Sequence, residues 1–117
     1  MTKVSIIIPL HNAESFIGEA VDSCLNQTYA NIEVIVVENG SNDGSWNIIS
    51  NYKDSRISRF QIEASSATVA RNYGYKKSTG NYIMFLDSDD VLSLDKISNQ
   101  MALFAELGND VLIESLS

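Results

Sequence analysis

The chain has 117 residues, of which 44% are hydrophobic and 20% are charged. This length is enough for one domain with a hydrophobic core, and the composition excludes an intrinsically disordered chain. Fifteen acidic residues against eight basic ones give a net charge of -7. A domain this acidic that lacks a basic stripe is a poor binder of nucleic acid, so we expect no nucleic-acid partner.

Cysteine content and the first apolar run exclude two further classes of protein. Cys24 is the one cysteine of the chain, so neither an internal disulfide nor a cysteine zinc site can form. The apolar run at residues 4–10 is too short to span a bilayer, and no small-residue cleavage site follows it. We therefore expect a cytoplasmic protein.

Short apolar runs alternate with longer segments of helical periodicity along the whole chain. The elements predicted for the first half are, in order, a strand at 4–8, a helix with the apolar stripe Phe16, Ile17, Ala20, Val21, Cys24 and Leu25, a strand at 32–37, and a helix carrying Trp46, Ile49 and Tyr52. Continuous apolar runs such as the first strand are typical of strands that are buried on both faces.

The second half continues the same alternation. Its predicted elements are an edge strand at 57–62, a helix at 67–77 that ends at Gly80, a strand at 82–86, a helix with Ser93 as N-cap, Leu94, Ile97, Met101, Phe104 and Leu107 as its stripe and Gly108 as its end, and a strand at 111–113. This alternation predicts a Rossmann-like α/β fold, an open and mostly parallel sheet with helices on both faces.

Polar residues follow three of the predicted buried strands. They are the segments 9–14, 38–41 and 87–90. The carboxyl ends of parallel strands share one edge of a sheet, where ligands of open α/β folds bind. We therefore expect the three polar segments to meet in space.

The acidic segment is the sharpest chemical signal. Asp87, Asp89 and Asp90 place three carboxylates within four residues, and a hard divalent cation among them would relieve their repulsion. One acid can hold a metal while another accepts a hydrogen bond from a ligand hydroxyl. The alternative is a structural one, in which these acids cap the next helix or decorate a turn.

The other polar residues allow a structural or a functional interpretation. Glu38 and Asn39 precede Gly40 in a segment that favours a tight turn, yet beside the acidic segment they could contact a base or ribose. His11 has no partner acid or serine nearby in sequence, which favours a binding or turn residue over a general base. Arg71 is either a surface charge or a phosphate or base ligand.

Four segments together resemble the family 2 glycosyltransferases. They are Val4-Ser5-Ile6-Ile7-Ile8-Pro9 with His11-Asn12, then 36–45, then Ala70-Arg71-Asn72-Tyr73-Gly74, and finally 79–90 with Asp87-Ser88-Asp89-Asp90. Their order and spacing agree with the family over nearly the whole chain.

The resemblance implies the nucleotide-sugar-binding part of a GT-A fold, spanning residues 1–117. It implies a nucleotide-sugar donor, most often a UDP-sugar, bound through Mg²⁺ or Mn²⁺. The residues that it assigns to this site are Pro9, His11, Asn12, Glu38, Asn39, Gly40, Arg71, Asp87 and Ser88, with Asp89 and Asp87 as the metal ligands. His11 stands where an aromatic residue commonly stacks, and Glu38-Asn39 replaces the usual pair of aspartates.

The resemblance also implies a half of the enzyme that this chain does not contain. Family members continue into an acceptor-binding half with the carboxylate that deprotonates the acceptor hydroxyl, and no residue here is a candidate for that base. We expect the chain to be truncated before the acceptor half and to bind the donor alone. The acceptor would be a glycan, lipid or protein, and the whole enzyme would work at the inner face of the membrane.

Two other functions compete with this interpretation. A haloacid-dehalogenase-type phosphatase also has Asp-x-Asp after an apolar strand, but normally after the first strand and with a following Thr, where this chain has Val91. A fragment that binds nucleotide or metal without turnover is the second. A receiver domain needs acids after the first strand, and a dinucleotide-binding domain needs a glycine-rich turn there. Both are excluded because this chain has Leu10, His11 and Asn12 at that place.

Overall fold

Five strands and four helices alternate along the part of the chain described by the computed structural model, residues 2–106 and 113–116. The elements are β1 (Val4–Leu10), α1 (Ile17–Leu25), β2 (Ile32–Asn39), α2 (Ser45–Ser50), β3 (Ile57–Ile62), α3 (Ala67–Lys77), β4 (Tyr82–Leu86), α4 (Lys96–Glu106) and β5 (Ile113–Leu116). The predicted order of strands and helices is confirmed.

The strands form one parallel sheet in the order β3-β2-β1-β4-β5. The chain builds outwards from β1 to β3 and then returns to the other side of β1 for β4 and β5. The topological switch point therefore lies between β1 and β4. A crevice outside the carboxyl ends of these two strands follows from the connectivity.

Strand β1 is apolar on both faces because helices cover both sides of the sheet. Ile6, Ile8 and Leu10 are buried in the core shared with α1, α2 and α4, whereas Ile7 is buried in a second core with Ala70 of α3. Each such side chain contributes about 1.5–3 kcal/mol through the area it removes from water. Helices on both faces are thus confirmed, and β3 is an edge strand as predicted.

Two glycines allow close approaches to β1. A Cβ on Gly74 of α3 would lie 2.5 Å from Cγ2 of Ile7, so the missing side chain lets the helix pack directly on the strand. The predicted helix at 67–77 is confirmed as α3, but its C-cap is Ser78, so the prediction that Gly80 stops the helix is wrong. A Cβ on Gly80 would lie 2.4 Å from the hydroxyl of Ser5, so this glycine serves packing against β1 instead.

Two predictions about helix bounds also need correction. Helix α4 begins at Lys96, whose N–H bonds to the carbonyl of Ser93, so Ser93 lies in the preceding turn and is not the N-cap. Leu94 is 61% exposed and precedes the helix. Tyr52 lies beyond the end of the short helix α2 and still packs against the core.

The end of the chain is described only in part. The last strand is present as β5, and its backbone pairs with β4 from Ile83↔Ile113 to Leu86↔Leu116. The predicted contributions of Leu107, Gly108 and Val111 lie outside the described residues. Among the described helices, none combines the length and the hydrophobicity that a bilayer crossing requires.

We predict that Gly74→Ala destabilises the fold although alanine favours helix. The gain in helix propensity is about 1 kcal/mol, whereas a methyl group forced against Ile7 costs about 1–3 kcal/mol. Gly18→Ala in α1 is the matched control, since its Cβ would lie 3.7 Å from the Tyr52 hydroxyl, an ordinary contact. Urea unfolding should show a midpoint below that of the wild type for Gly74→Ala and an equal or higher midpoint for Gly18→Ala; equal midpoints in the two variants would contradict the packing argument.

Candidate functional site

A cavity of about 290 Å³ opens at the carboxyl edge of the sheet, beside the ends of β1 and β4. It is lined by residues from the three polar segments and from the starts of α1 and α3: Pro9, His11, Asn12, Ala13, Phe16, Asn39, Ala67, Arg71, Asp87, Ser88 and Asp89. The predicted meeting of the polar segments at one edge is therefore what the fold produces.

The acidic segment forms a tight turn after β4. The N–H of Asp90 donates to the carbonyl of Asp87 at 3.0 Å, and one carboxylate oxygen from each of Asp87, Asp89 and Asp90 lies within 4.8 Å of the others. Burial raises the pKa of the Asp90 carboxyl, and the charges of Asp89 and Asp87 raise it further. The buried Oδ2 of Asp90 has no hydrogen-bond partner among the described residues. This all-oxygen donor set fits a hard divalent cation.

Arg71 brings the opposite charge to the same cavity. It projects from α3, and its Nη2 lies 3.5 Å from Oδ1 of Asp87, with both side chains about one third exposed. This contact is long for a charged hydrogen bond. The Nε of Arg71 is buried and has no partner among the described residues. The guanidinium therefore retains donor capacity for an anionic ligand.

His11 is oriented by the main chain of β2. Its Nδ1 lies 2.7 Å from the carbonyl oxygen of Asn39. A carbonyl oxygen only accepts, so Nδ1 carries the hydrogen and Nε2 of the neutral ring is an acceptor. His11 thus reaches the cavity with a defined tautomer, in agreement with a binding residue.

The side chain of Asn39 is committed to the loop before α3. Its Nδ2 donates to the carbonyl of Ser65 at 2.8 Å, and its Oδ1 accepts from the N–H of Ser65 at 2.8 Å. This pair of bonds ties the end of β2 to the start of α3, the helix that carries Arg71. Asn39 lines the cavity, and its amide groups already have partners there.

The loops after β1 and β2 hold each other through reciprocal hydrogen bonds. Asn12, which has a φ of 48°, donates its N–H to the hydroxyl of Ser41, and its Oδ1 accepts from the N–H of Asn42. Glu14 accepts from the N–H of Gly44, and Asp43 accepts from the N–H of Glu14. This mutual support keeps the wall of the cavity in place without a helix or strand.

Glu38 and Gly40 are the two predicted site residues that do not line the cavity. Glu38 is 3% exposed, and both its carboxylate oxygens accept from the N–H of Ser41 at 3.2 Å. Gly40 has a φ of 70°, and a Cβ there would lie 2.5 Å from Cβ of Ala64. Both residues build the turn after β2, and their contact with a nucleotide stays a prediction.

Three lining residues were missed by the sequence reasoning, namely Ala13, Phe16 and Ala67. Phe16 was placed in the apolar stripe of α1, which is wrong: it is the N-cap residue and its side chain is 54% exposed. Ile17, Ala20, Val21 and Cys24 already complete the buried stripe. That surplus aromatic residue, four positions after Asn12, was the signal that could have found it.

Comparison of the sequence with protein families finds a match over residues 5–116 to the family described as Glycosyl transferase family 2. An uncharacterized glycosyltransferase from Haemophilus influenzae is 44% identical over 104 residues. The match covers 86% of this chain and 42% of that protein. The Escherichia coli UDP-Glc:alpha-D-GlcNAc-diphosphoundecaprenol beta-1,3-glucosyltransferase WfaP is 46% identical over 102 residues, which are 86% of this chain and 41% of that protein.

Solved structures share the fold. Residues 1–349 of Staphylococcus aureus TarS, solved in complex with UDP-GlcNAc, superimpose with a TM-score of 0.82 at 29% identity, covering 89% of this chain and 31% of that one. The mannosyltransferase PcManGT from Pyrobaculum calidifontis, solved with GDP-Man and Mn²⁺, shares the fold with a TM-score of 0.77 at 24% identity, over 87% of this chain and 32% of that one. The chain spans about two fifths or less of the length of these proteins.

These matches decide between the enzyme classes that the acidic segment left open. In the phosphatase alternative the Asp-x-Asp pair follows the first strand, whereas here it follows β4. The family match begins one residue inside β1 and covers the other four strands of the GT-A-type sheet and all three polar segments of the cavity. The chain belongs to the glycosyl transferase family 2.

Proposed function

We propose that this chain forms the nucleotide-sugar-binding part of a glycosyltransferase, and that the cavity takes the nucleoside diphosphate of the donor together with Mg²⁺ or Mn²⁺. One observation carries the proposal: the acidic turn and the guanidinium of Arg71 face the same cavity, 3.5 Å apart at their nearest atoms. A metal-bound diphosphate would present both signs of charge to these two groups. A cation alone or an anion alone would leave one of the two groups unused.

Asp87 and Asp89 would hold the metal in this proposal. Arg71 would bind the diphosphate, and Pro9, His11 and Asn12 would border the base. Glu38, Asn39 and Gly40 shape the turn behind these residues, and Ser88 would contact the donor from the acidic turn. A divalent cation held by Asp87 and Asp89 would offset the negative charge that builds on the departing nucleoside diphosphate.

A UDP-linked sugar is the donor that the comparisons favour. The TarS fragment was solved with UDP-GlcNAc at 29% identity to this chain. WfaP, at 46% identity, carries UDP-Glc in its name. These two similar proteins support the same class of nucleotide here.

The acceptor side belongs to the whole protein. WfaP is named for a lipid-linked acceptor, GlcNAc-diphosphoundecaprenol, and this chain matches 41% of it. We propose that the whole protein transfers the sugar to an acceptor hydroxyl with inversion, with a general base that lies outside these 117 residues. A cytoplasmic location at the inner face of the membrane stays a prediction. This chain by itself would then bind donor without turnover.

The first prediction from this proposal concerns the dependence of UDP binding on a divalent cation. Titration of the whole protein with UDP in a calorimeter should show binding with Mn²⁺ and much weaker binding without it. Asp89→Ala should abolish the gain from Mn²⁺ because a carboxylate ligand is lost. Glu63→Ala, which removes an exposed acid from the end of β3, is the control and should bind like the wild type. Unchanged metal-dependent binding in Asp89→Ala would disprove the metal assignment.

The second prediction separates the diphosphate from the nucleoside. Arg71→Gln should weaken UDP binding about tenfold or more, since charge-assisted hydrogen bonds contribute about 1.5–3 kcal/mol. Uridine, which lacks the diphosphate, should bind wild type and variant alike. An equal loss for UDP and uridine would instead assign Arg71 to the base.

The third prediction follows from the electrostatics of the acidic turn. The raised pKa of Asp90 means that its ionised form is disfavoured in the folded protein. Asp90→Asn should therefore raise the melting temperature at pH 7 without divalent cations, by about 2 °C after solvent screening. Glu63→Gln makes the same change in net charge at an exposed site. It therefore controls for the effect of removing one negative charge from a chain whose net charge is -7.

The difference in melting temperature between Asp90→Asn and the wild type should depend on pH. As the pH falls through the Asp90 pKa, the wild-type carboxyl becomes neutral and the advantage of Asp90→Asn should disappear. Thermal unfolding followed by circular dichroism between pH 7 and pH 4 measures this. A melting temperature that rises equally in Asp90→Asn and Glu63→Gln would show that the cluster stores no specific repulsion.

A further inference from the structure

The acidic turn connects two residues that are buried in the core. At one end Leu86 closes β4 and is 1% exposed, and at the other end Leu92 re-enters the core and is 7% exposed. Residues 87–91 span the gap between them. The positions of the three carboxylates thus depend on how firmly both ends are held.

The end at Leu92 is held by the C-terminal half of α1 and the residues after it. The hydroxyl of Ser23 accepts from the N–H of Leu92 at 3.0 Å. Two residues after the helix, the Nε2 of Gln27 donates to the carbonyl of Ser93 at 2.6 Å, and its Oε1 accepts from the N–H of Ile97 at 3.1 Å. Gln27 is 7% exposed, so these bonds are shielded from water. The side chain also supplies the capping contact in the first turn of α4.

The carboxylates themselves contribute little to their own placement. The one described side-chain contact of Asp87 is the long 3.5 Å approach to Arg71, and Oδ2 of Asp90 has no partner in the described part of the chain. Three like charges within 4.8 Å repel one another and tend to spread the turn. The main-chain anchors at Leu92 and Ser93 oppose this spreading, together with the bond from the N–H of Thr28 to the carbonyl of Leu94 at 3.1 Å.

We propose that Gln27, assisted by Ser23, is a positioning residue of the donor site. It tethers the far end of the acidic turn to α1 and thereby sets the spacing at which Asp87, Asp89 and Asp90 meet a divalent cation. Neither residue lines the cavity, and both act through the main chain of residues 92–97. This inference rests on the proposed function of the acidic turn as a metal site.

Gln27→Met and Ser23→Ala test the role in the whole protein. Methionine keeps the length of the side chain but loses the amide, and alanine removes the hydroxyl that holds Leu92. Mutation of a residue that orients metal ligands without binding the metal itself typically lowers metal affinity about 10–100-fold. We therefore expect Mn²⁺ affinity in the presence of UDP, measured by electron paramagnetic resonance, to fall about tenfold in Gln27→Met and less in Ser23→Ala. Uridine affinity should not change.

Tyr52→Phe is the matched control for general loosening of α1. Its hydroxyl donates to Asp22 at 2.8 Å and approaches the carbonyl of Gly18, so the variant loses a tether of the same helix without touching the acidic turn. All affinities are compared at a temperature where circular dichroism shows each variant folded. Tyr52→Phe should keep the wild-type Mn²⁺ affinity while its melting temperature falls.

Each outcome then has one meaning. Weaker Mn²⁺ binding in Gln27→Met and Ser23→Ala, with Tyr52→Phe and uridine binding unchanged, supports the positioning role. Unchanged Mn²⁺ affinity in both variants, or an equal loss in Tyr52→Phe, overturns it. If Gln27→Met does not fold, Ser23→Ala decides alone. A wild-type protein that binds no Mn²⁺ overturns the proposed function, and this inference with it.

Discussion

The burial of β1 on both faces is the constraint on which the rest of this structure depends. Its apolar side chains can leave water only if helices cover both sides of the sheet, which requires crossover connections and parallel neighbours. With β2 on one side of β1 and β4 on the other, the chain leaves the sheet in opposite directions at one edge. The cavity is the space that this divergence leaves, and every polar segment that follows a central strand opens into it.

Charge gives that space its chemistry. Three of the acids behind the net charge of -7 lie in one tight turn, and an arginine from α3 stands beside them. Such a turn disfavours its own ionised state, as the raised pKa of Asp90 shows. A fold gains no stability from an arrangement of this kind, which agrees with the proposed binding of a cation with an anionic partner. Stability is provided elsewhere, by the two cores and by the tethers from Ser23 and Gln27.

Some polar groups around the cavity are open to a ligand, and others hold the loops of the cavity wall in place. Asn39 uses its amide to join β2 to the loop before α3, and Glu38 uses its carboxylate to close the turn after β2. His11 is oriented by the carbonyl of Asn39 rather than by a side chain. Arg71 and the acidic turn keep open donor and acceptor capacity, which is why they carry the proposed chemistry.

Sequence by itself determined the parallel α/β sheet, its buried central strands, and the edge at which the polar segments meet. These features depend on local apolar periodicity and on the direction of the strands, and both follow from the pattern of residues that are close together in the sequence. Only the tertiary structure decided that Phe16 faces the cavity, that Ser93 precedes its helix, and that Glu38 turns inward. It also showed that Gln27 holds a segment some 66 residues away in sequence. Such contacts join residues far apart in the chain, and local periodicity contains no information about which distant main-chain groups a side chain will meet.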